Sequence, residues 1–232
     1  MNKKDVLEIL EVVASDVFFK DFTIRKSDNS IICKTDYGYK RVTFNYYNSY
    51  DLSRNGIALE ITPSYNIRFN VLHKWFEKYS KRSLADQRYD YSIGFVGEMI
   101  GKKNEFYFLE NLKGYENDLH KLYDEVVKNA KQLFTKYETL DCYYNDYIYD
   151  VIKGEKAFPS HGFEWVVEYL IATRIVAPAN YDSVKKLILE RVEFMMSRRE
   201  PNTALYYNNL PMILEDLEST DFTTGKWGKI PK

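Results

Sequence analysis

The period of the apolar residues changes along the chain. Over residues 4–19 the apolar residues recur at helical spacing, which predicts an amphipathic helix. From Phe22 to Ile61 they alternate with polar residues between turn-forming segments, which predicts an antiparallel meander whose last strand ends at Pro63. A second helix is predicted around 69–79, followed by short strands at 91–95 and 106–108. The first 110 residues therefore predict an antiparallel sheet with two helices on its apolar face.

After Gly114 helical spacing replaces the alternation. A long helix is predicted from Leu119 to Tyr137, and further helices are predicted at 139–152, 163–177, 184–195 and 213–217. The tail from Ser219 is polar, so we expect it to be loosely held, with Trp227 as a residue that can dock. The predicted fold class is α+β, with an N-terminal antiparallel sheet and two helices followed by a C-terminal all-helical region. The predicted domains are a sheet domain over 1–110, a helical region over 111–219 packed on it, and a polar tail over 220–232.

Composition narrows the class of protein. The 232 residues include 33 Lys and Arg against 34 Asp and Glu, a net charge of −1, which argues against a dedicated nucleic-acid binder. No apolar run is long enough to span a bilayer, and two cysteines are too few for a disulfide framework. We therefore expect a soluble cytoplasmic protein without a membrane association. The 21 tyrosines are unusual, and tyrosine is typical of core margins and interfaces.

No motif of established chemistry occurs in the chain. GxGxxG, GxSxG and HExxH are missing, so the sequence favours a non-enzymatic protein with no cofactor, no metal and no catalytic residue. His73 with Glu77, and His120 with Glu116 and Asp124, have the spacing of metal ligands on a helix. Ordinary ion pairs and a solvated polar face explain both sets.

Two segments leave alternatives open. His161 lies in a loop before a predicted helix, where the helix dipole disfavours the charged imidazole and allows a neutral base. An enzyme with a dispersed site between the two halves around His161 is therefore one alternative. The segment 66–88 is rich in Lys and Arg, so a nucleic-acid contact through this helix is the other.

The acidic segment 138–150 is the predicted functional site. It contains carboxylates and tyrosines but no basic residue. A helical wheel places Leu140, Tyr144, Tyr147 and Val151 on the inner side. The residues predicted to bind a partner lie on the outer face and its flanks: Asp141, Asn145, Asp146, Tyr149 and Asp150. Exposed tyrosine beside carboxylates is typical of an interface for a cationic protein.

The order of elements over residues 5–150 carries a resemblance. The predicted order begins with a helix and hairpins. The Trp-Phe helix from Leu72 to Tyr79 comes next, and a long helix that runs into Tyr137-Glu138-Thr139-Leu140 follows it. This order resembles a bacterial family of uncharacterised domain proteins, some of whose relatives are candidate immunity proteins of toxin systems. The resemblance implies a non-enzymatic binding role and supplies no catalytic residues. The identity of the partner and the oligomeric state are left open by the sequence.

Overall fold

The computed structural model describes residues 3–51, 56–96, 106–109, 115–156, 163–200 and 203–231. The strands are β1 (Thr23–Arg25), β2 (Ser30–Lys34), β3 (Gly38–Asp51), β4 (Gly56–Phe69), β5 (Ile93–Val96) and β6 (Phe106–Leu109). The helices are α1 (Lys3–Ala14), α2 (Asn70–Lys74), α3 (Leu84–Gln87), α4 (Tyr115–Lys136), α5 (Leu140–Tyr144), α6 (Asp150–Ile152), α7 (Phe163–Val176), α8 (Tyr181–Ser197), α9 (Thr203–Tyr207) and α10 (Leu210–Ser219). The predicted α+β class is confirmed.

The chain divides into two compact units, residues 1–67 with 93–136 and residues 68–92 with 137–232. The units do not follow the predicted boundary at residue 110. The long helix α4 joins the sheet, whereas the segment after β4 joins the helices of the second unit. Local spacing predicted these helices without predicting their partners, because a helical stripe does not state which surface will cover it.

The first unit is built around the sheet. Its strand order is β1-β2-β3-β4-β5, and β6 also pairs with β4. Helix α1 packs against β1, β2 and β3, and α4 packs against α1 and β6. Four residues of the predicted stripe, Val6, Ile9, Leu10 and Val13, have no exposed surface. The fifth, Val17, is 76% exposed, because α1 ends at Ala14 and not at residue 19 as predicted. A stack of Phe18 and Phe22 on Phe134 of α4 adds to this core, with ring centroids 6.5 and 5.9 Å apart.

Strand β4 is longer than predicted. Pro63 was expected to end it, but the strand continues to Phe69. Residues 58–61 of β4 pair with β6, and residues 64–67 pair with β5. Pro63 lies between these two registers, so its missing N–H removes no bond to β5 or β6.

The second unit is helical and centred on α7, which contacts α2, α5 and α8. The predicted helix at 69–79 is split into α2 and a 3₁₀ turn at Phe76–Lys78. The tail, which was predicted to be loosely held, contacts the rest of the second unit near both of its ends. Phe222 is buried, Trp75 Nε1 donates to Thr220 Oγ1 at 2.9 Å, and the Pro231 carbonyl accepts from the Leu140 amide at 3.3 Å.

Candidate functional site

The predicted binding segment is one helical run from α5 to α6, residues 140–152, which we call the acidic helix. A π turn at Asn145–Tyr149 joins its two parts. Thr139 caps its start by accepting from the Cys142 amide at 3.4 Å. A π turn takes an additional residue per turn and shifts every later side chain around the axis. Within the π turn the buried residue is Ile148.

The shift corrects part of the helical-wheel prediction. Leu140 and Tyr144 are buried as predicted, and Tyr143 is buried beside them. Tyr147 and Val151, which were also expected inside, are only partly buried. An ideal α-helical period was assumed for the wheel, and nothing in the local residue types indicated the π turn. Such turns are frequent at functional sites.

The five predicted partner-binding residues differ in exposure and in whether their side chains are already bonded within the chain. Asp141 and Asn145 are exposed, and Tyr149 is 38% exposed with Lys153 Nζ 4.3 Å from its ring centroid. Asp146 is half-buried and accepts from the Tyr137 hydroxyl at 2.7 Å. Asp150 pairs with Lys156 at 2.5 Å. The carboxylates of Asp146 and Asp150 are therefore already engaged within the chain.

The contact between Asp146 and Tyr137 has an electrostatic consequence. Burial, together with the hydrogen bond to Asp146, raises the pKa of Tyr137. The Tyr137 hydroxyl therefore keeps its proton and acts as the donor. This bond ties the acidic helix to the chain just before it, so the exposed groups are presented by an anchored backbone.

Asp141 also lines a groove of about 750 Å³, which we call the α7–tail groove. Its lining residues are Asp141, Arg174–Val176, Ser219–Thr223, Ile230 and Pro231. Clefts of about 300–1,000 Å³ are typical of sites for small ligands. The groove has apolar walls from Ile175, Phe222 and Ile230, and it carries both acidic and basic side chains.

Arg174 fixes one wall of the groove. Its guanidinium donates to the carbonyls of Leu217 and Thr220, the latter at 3.1 Å. It also lies 5.8 Å from the ring centroid of Phe222 and 5.9 Å from that of Tyr181. Arg174 therefore faces the negative end of α10, and part of its charge is offset by the helix carbonyls.

A second constellation lies in the core of the same unit. Ser92 Oγ is 2.9 Å from His73 Nε2, and His73 Nδ1 is 3.2 Å from Glu168 Oε1. Ser92 Oγ also accepts from the Phe69 amide at 3.0 Å. A hydroxyl, an imidazole and a carboxylate in this order are the parts of a nucleophile relay in acyl transfer. We call these three residues the buried relay.

Charged groups surround the buried relay. Arg68 is 5% exposed and donates to the carbonyls of Gln87 at 2.7 Å and Asp90 at 3.0 Å. Arg82 bridges Asp90 at 2.8 Å and Glu164 at 3.1 Å.

These surroundings act on both ionisable members of the relay. Burial, with the charges of Arg68 and Arg82, holds the pKa of His73 well below its usual value. Burial raises the pKa of Glu168 well above its usual value, against the opposing charge of Arg68. Both residues are therefore favoured in their neutral forms.

The buried relay has no room for a substrate. Ser92 has no exposed surface, His73 is 8% exposed and Glu168 is 3% exposed. The cavity beside His73 and Glu168 measures about 10 Å³, and a single water molecule needs about 10–15 Å³. Within the described residues, Glu168 Oε2 has no hydrogen-bond partner. The arrangement can share a proton in the core, but it offers no access to an acyl group.

Each of the two histidines with metal-ligand spacing in the sequence contacts a single carboxylate. His73 contacts Glu168, whereas Glu77 lies 3.8 Å from Arg68. His120 forms an exposed ion pair with Asp124 at 3.3 Å. In the part of the chain that the structure describes, no group of three or more His, Cys, Asp or Glu side chains could hold a metal ion. The loop containing His161 lies outside the described residues.

About half of the basic residues in segment 66–88 are engaged within the chain. Arg68 is buried against carbonyls, Lys78 pairs with Asp216, and Arg82 is held by two carboxylates. Exposed side chains remain at Lys74, Lys81 and Arg88. The segment therefore offers phosphate groups less charge than its sequence indicates.

Sequence reasoning missed Glu168, although a signal was present. Helix α7 is apolar on all sides, and the run from Val166 to Thr173 is buried throughout. A helix that is apolar all round is a core helix, so its single central carboxylate must be buried and must find a partner. Ser92 gave no comparable signal.

Comparison of the chain with protein-family models, with curated proteins and with solved structures gave no match. Among the described residues, none of the helices has the length and apolar character needed to cross a bilayer.

Proposed function

We propose that this protein is a non-enzymatic protein-binding module that binds a cationic protein partner through the acidic helix. The proposal places it in the cytoplasm and assigns it an immunity-type role, the role implied by the resemblance to candidate immunity proteins. Two free thiols, Cys33 and Cys142, support a reducing compartment. A bacterial origin belongs to the same proposal.

One observation carries the proposal. Asp141, Asn145 and Tyr149 are exposed on one anchored helical run that contains a π turn and borders a 750 Å³ groove. Tyrosine supplies a large contact area with few rotatable bonds, and an exposed carboxylate steers a cationic partner during encounter. The buried relay, by contrast, is sealed in the core.

We propose different roles for the five predicted residues according to their contacts within the chain. Asp146 and Asp150 are engaged by Tyr137 and Lys156, so we assign them the role of holding the acidic helix in shape. Asp141 then supplies the charge, and Asn145 and Tyr149 supply hydrogen bonding and area. Binding of this kind weakens as salt screens the exposed charge.

The proposal is tested by affinity capture from lysate of the source cells. The double variant Asp141→Lys with Tyr149→Ala reverses the charge and removes the aromatic ring. The matched control is Glu190→Lys with Phe194→Ala on α8, where Glu190 is also exposed and Phe194 is 50% exposed. We expect a basic protein to be recovered by the wild type and the control but not by the double variant, with recovery falling as salt is raised.

Two results would contradict the proposal. One is recovery of the same partner in equal amounts by the double variant. The other is the absence of any partner retained by the wild type above the level of the double variant. Circular dichroism of both variants establishes beforehand that they fold as the wild type does.

A serine-type hydrolase is the second candidate function. The distances of 2.9 and 3.2 Å within the buried relay favour it. It requires segment 80–91 to open and expose Ser92. A fluorophosphonate probe labels a serine activated in this way, and Ser92→Ala abolishes that labelling. If the wild type does not react with the probe, the relay has a structural role only.

A further inference from the structure

The α7–tail groove continues the acidic helix on one side. Asp141 belongs to both, because it is exposed at the start of the acidic helix and lines the groove. On the tail side the groove is lined by Asp221, which is exposed and caps the turn after α10 by accepting from the Thr223 amide at 2.8 Å. Two carboxylates therefore line one groove that adjoins the proposed binding surface.

The single cation in the described lining of the groove is Arg174. Its Nη1 donates to the carbonyls of Leu217 and Thr220, so one end of the guanidinium is held at the end of α10. One cation therefore stands against two exposed carboxylates in this lining. The charge of the groove thus favours a basic side chain.

The apolar lining adds a second requirement. Ile175, Val176 and Ile230 are partly buried in the groove wall, and Phe222 is buried at its base. Apolar surface of this kind is covered favourably by an aliphatic side chain at about 25 cal/mol per Å². A segment that carries basic and aliphatic residues in alternation satisfies both features, because neighbouring side chains of an extended peptide point in opposite directions.

We infer that the α7–tail groove receives an extended segment of the cationic partner, with a basic side chain at Asp141 and Asp221 and aliphatic side chains on Ile175 and Ile230. This inference rests on the proposed function and names the part of the partner that is recognised. The acidic helix guides the encounter, and the groove supplies sequence preference.

The inference is tested with defined peptides and the full chain labelled with ¹⁵N. The probe is acetyl-Leu-Arg-Leu-amide, and the two comparison peptides are acetyl-Leu-Glu-Leu-amide and acetyl-Ser-Arg-Ser-amide. We expect the probe to shift the amide signals of Ile175, Val176, Thr223 and Ile230. We expect each comparison peptide to bind at least about fivefold more weakly. The acidic peptide loses an exposed ion pair of about 1 kcal/mol, which corresponds to that factor, and the serine peptide loses the burial of its aliphatic side chains.

Single-charge variants locate the basic side chain. Asp141→Asn and Asp221→Asn each remove one charge, and the amide side chain introduced at position 221 retains an oxygen that can cap the turn. Each variant should weaken probe binding about two- to fivefold, whereas Glu190→Gln on α8 should leave it unchanged. Equal binding of the acidic peptide, signal shifts confined to other residues, or unchanged affinity in both variants would each overturn the inference.

The outcome is separable from that of the proposed function. If Tyr149→Ala abolishes capture of the partner but Asp221→Asn and Ile175→Ser do not, the proposed function stands and the groove inference fails. If the probe binds in the groove but no variant affects capture, the groove is a peptide site and the proposed role of the acidic helix fails.

Discussion

Replacing Glu168 by Gln tests whether the core of the second unit holds a neutral carboxyl group. The side chain is 3% exposed, and burial raises its pKa well above the usual value of 4.5. In the folded protein Glu168 therefore keeps its proton over a pH range in which the unfolded chain has lost it. Gln keeps an oxygen that can accept from His73 Nδ1, but it cannot ionise.

The sign of the expected effect follows from proton linkage. Above pH 4.5 the folded state binds one proton more than the unfolded state at Glu168, so rising pH favours unfolding. His73 acts in the opposite direction: its folded pKa lies below 6.5, so its contribution is complete above pH 6.5 and is lost as the pH falls below it. His73 is present in both proteins, so the difference between them isolates Glu168 to first order.

The magnitude is set by one proton, which changes the free energy of unfolding by about 1.4 kcal/mol per pH unit. Between about pH 5 and about pH 7 the Gln variant should therefore gain stability relative to the wild type, by at most about 3 kcal/mol. Urea unfolding followed by tryptophan fluorescence at several pH values measures this gain. Glu190→Gln gives the effect of the same substitution at an exposed position. A stability difference between the Gln variant and the wild type that stays constant with pH would refute the reasoning, because it would mean that Glu168 is ionised beside Arg68.

Three further substitutions test other contacts. Tyr143→Phe removes a buried hydroxyl that has no hydrogen-bond partner among the described residues, so urea unfolding should show a gain of about 1 kcal/mol; a loss of that size would contradict this. Arg174→Ala removes the bonds to Leu217 and Thr220, so it should cost about 2 kcal/mol and speed proteolysis of the tail; an unchanged cleavage rate would show that the tail is held elsewhere. Asp16→Ala removes the acceptor for the Phe18 amide and the Tyr123 hydroxyl and should cost about 1–2 kcal/mol. The hydrogen bond from Tyr123 lowers the pKa of Asp16 below 3.8. The loss of stability caused by Asp16→Ala should therefore disappear in an acid titration as the pH falls below 3.8 and Asp16 of the wild type takes up a proton. A loss of stability that persists in acid would contradict this prediction.

The elements that could be predicted from the sequence are those whose pattern is local. The stripe Val6, Ile9, Leu10 and Val13 identified α1 because each of these residues is buried by the same face of one helix. Strand β4 was predicted too short because the pairing of β5 and β6 on the two sides of Pro63 depends on residues far along the chain. The α+β class followed from periods, whereas the composition of the two units depended on tertiary contacts.

The candidate site shows the same limit. The sequence placed Asn145 and Tyr149 on the outer face and Asp141 at its flank, and all three are exposed. It could not show that Tyr137 and Lys156 engage Asp146 and Asp150, because a π turn sets the positions of these side chains. The buried relay joins Ser92, His73 and Glu168 from three separate segments, and no spacing in the sequence indicates such a contact.

The most direct test of the partner-binding role is amide hydrogen exchange of the full chain, alone and in complex with the captured partner. Backbone amides at an interface exchange more slowly when the partner covers them. We expect slower exchange in the complex for peptides that cover residues 138–152 and 219–231. Protection confined to α1, β2 or other segments away from the acidic helix would contradict the proposed binding surface.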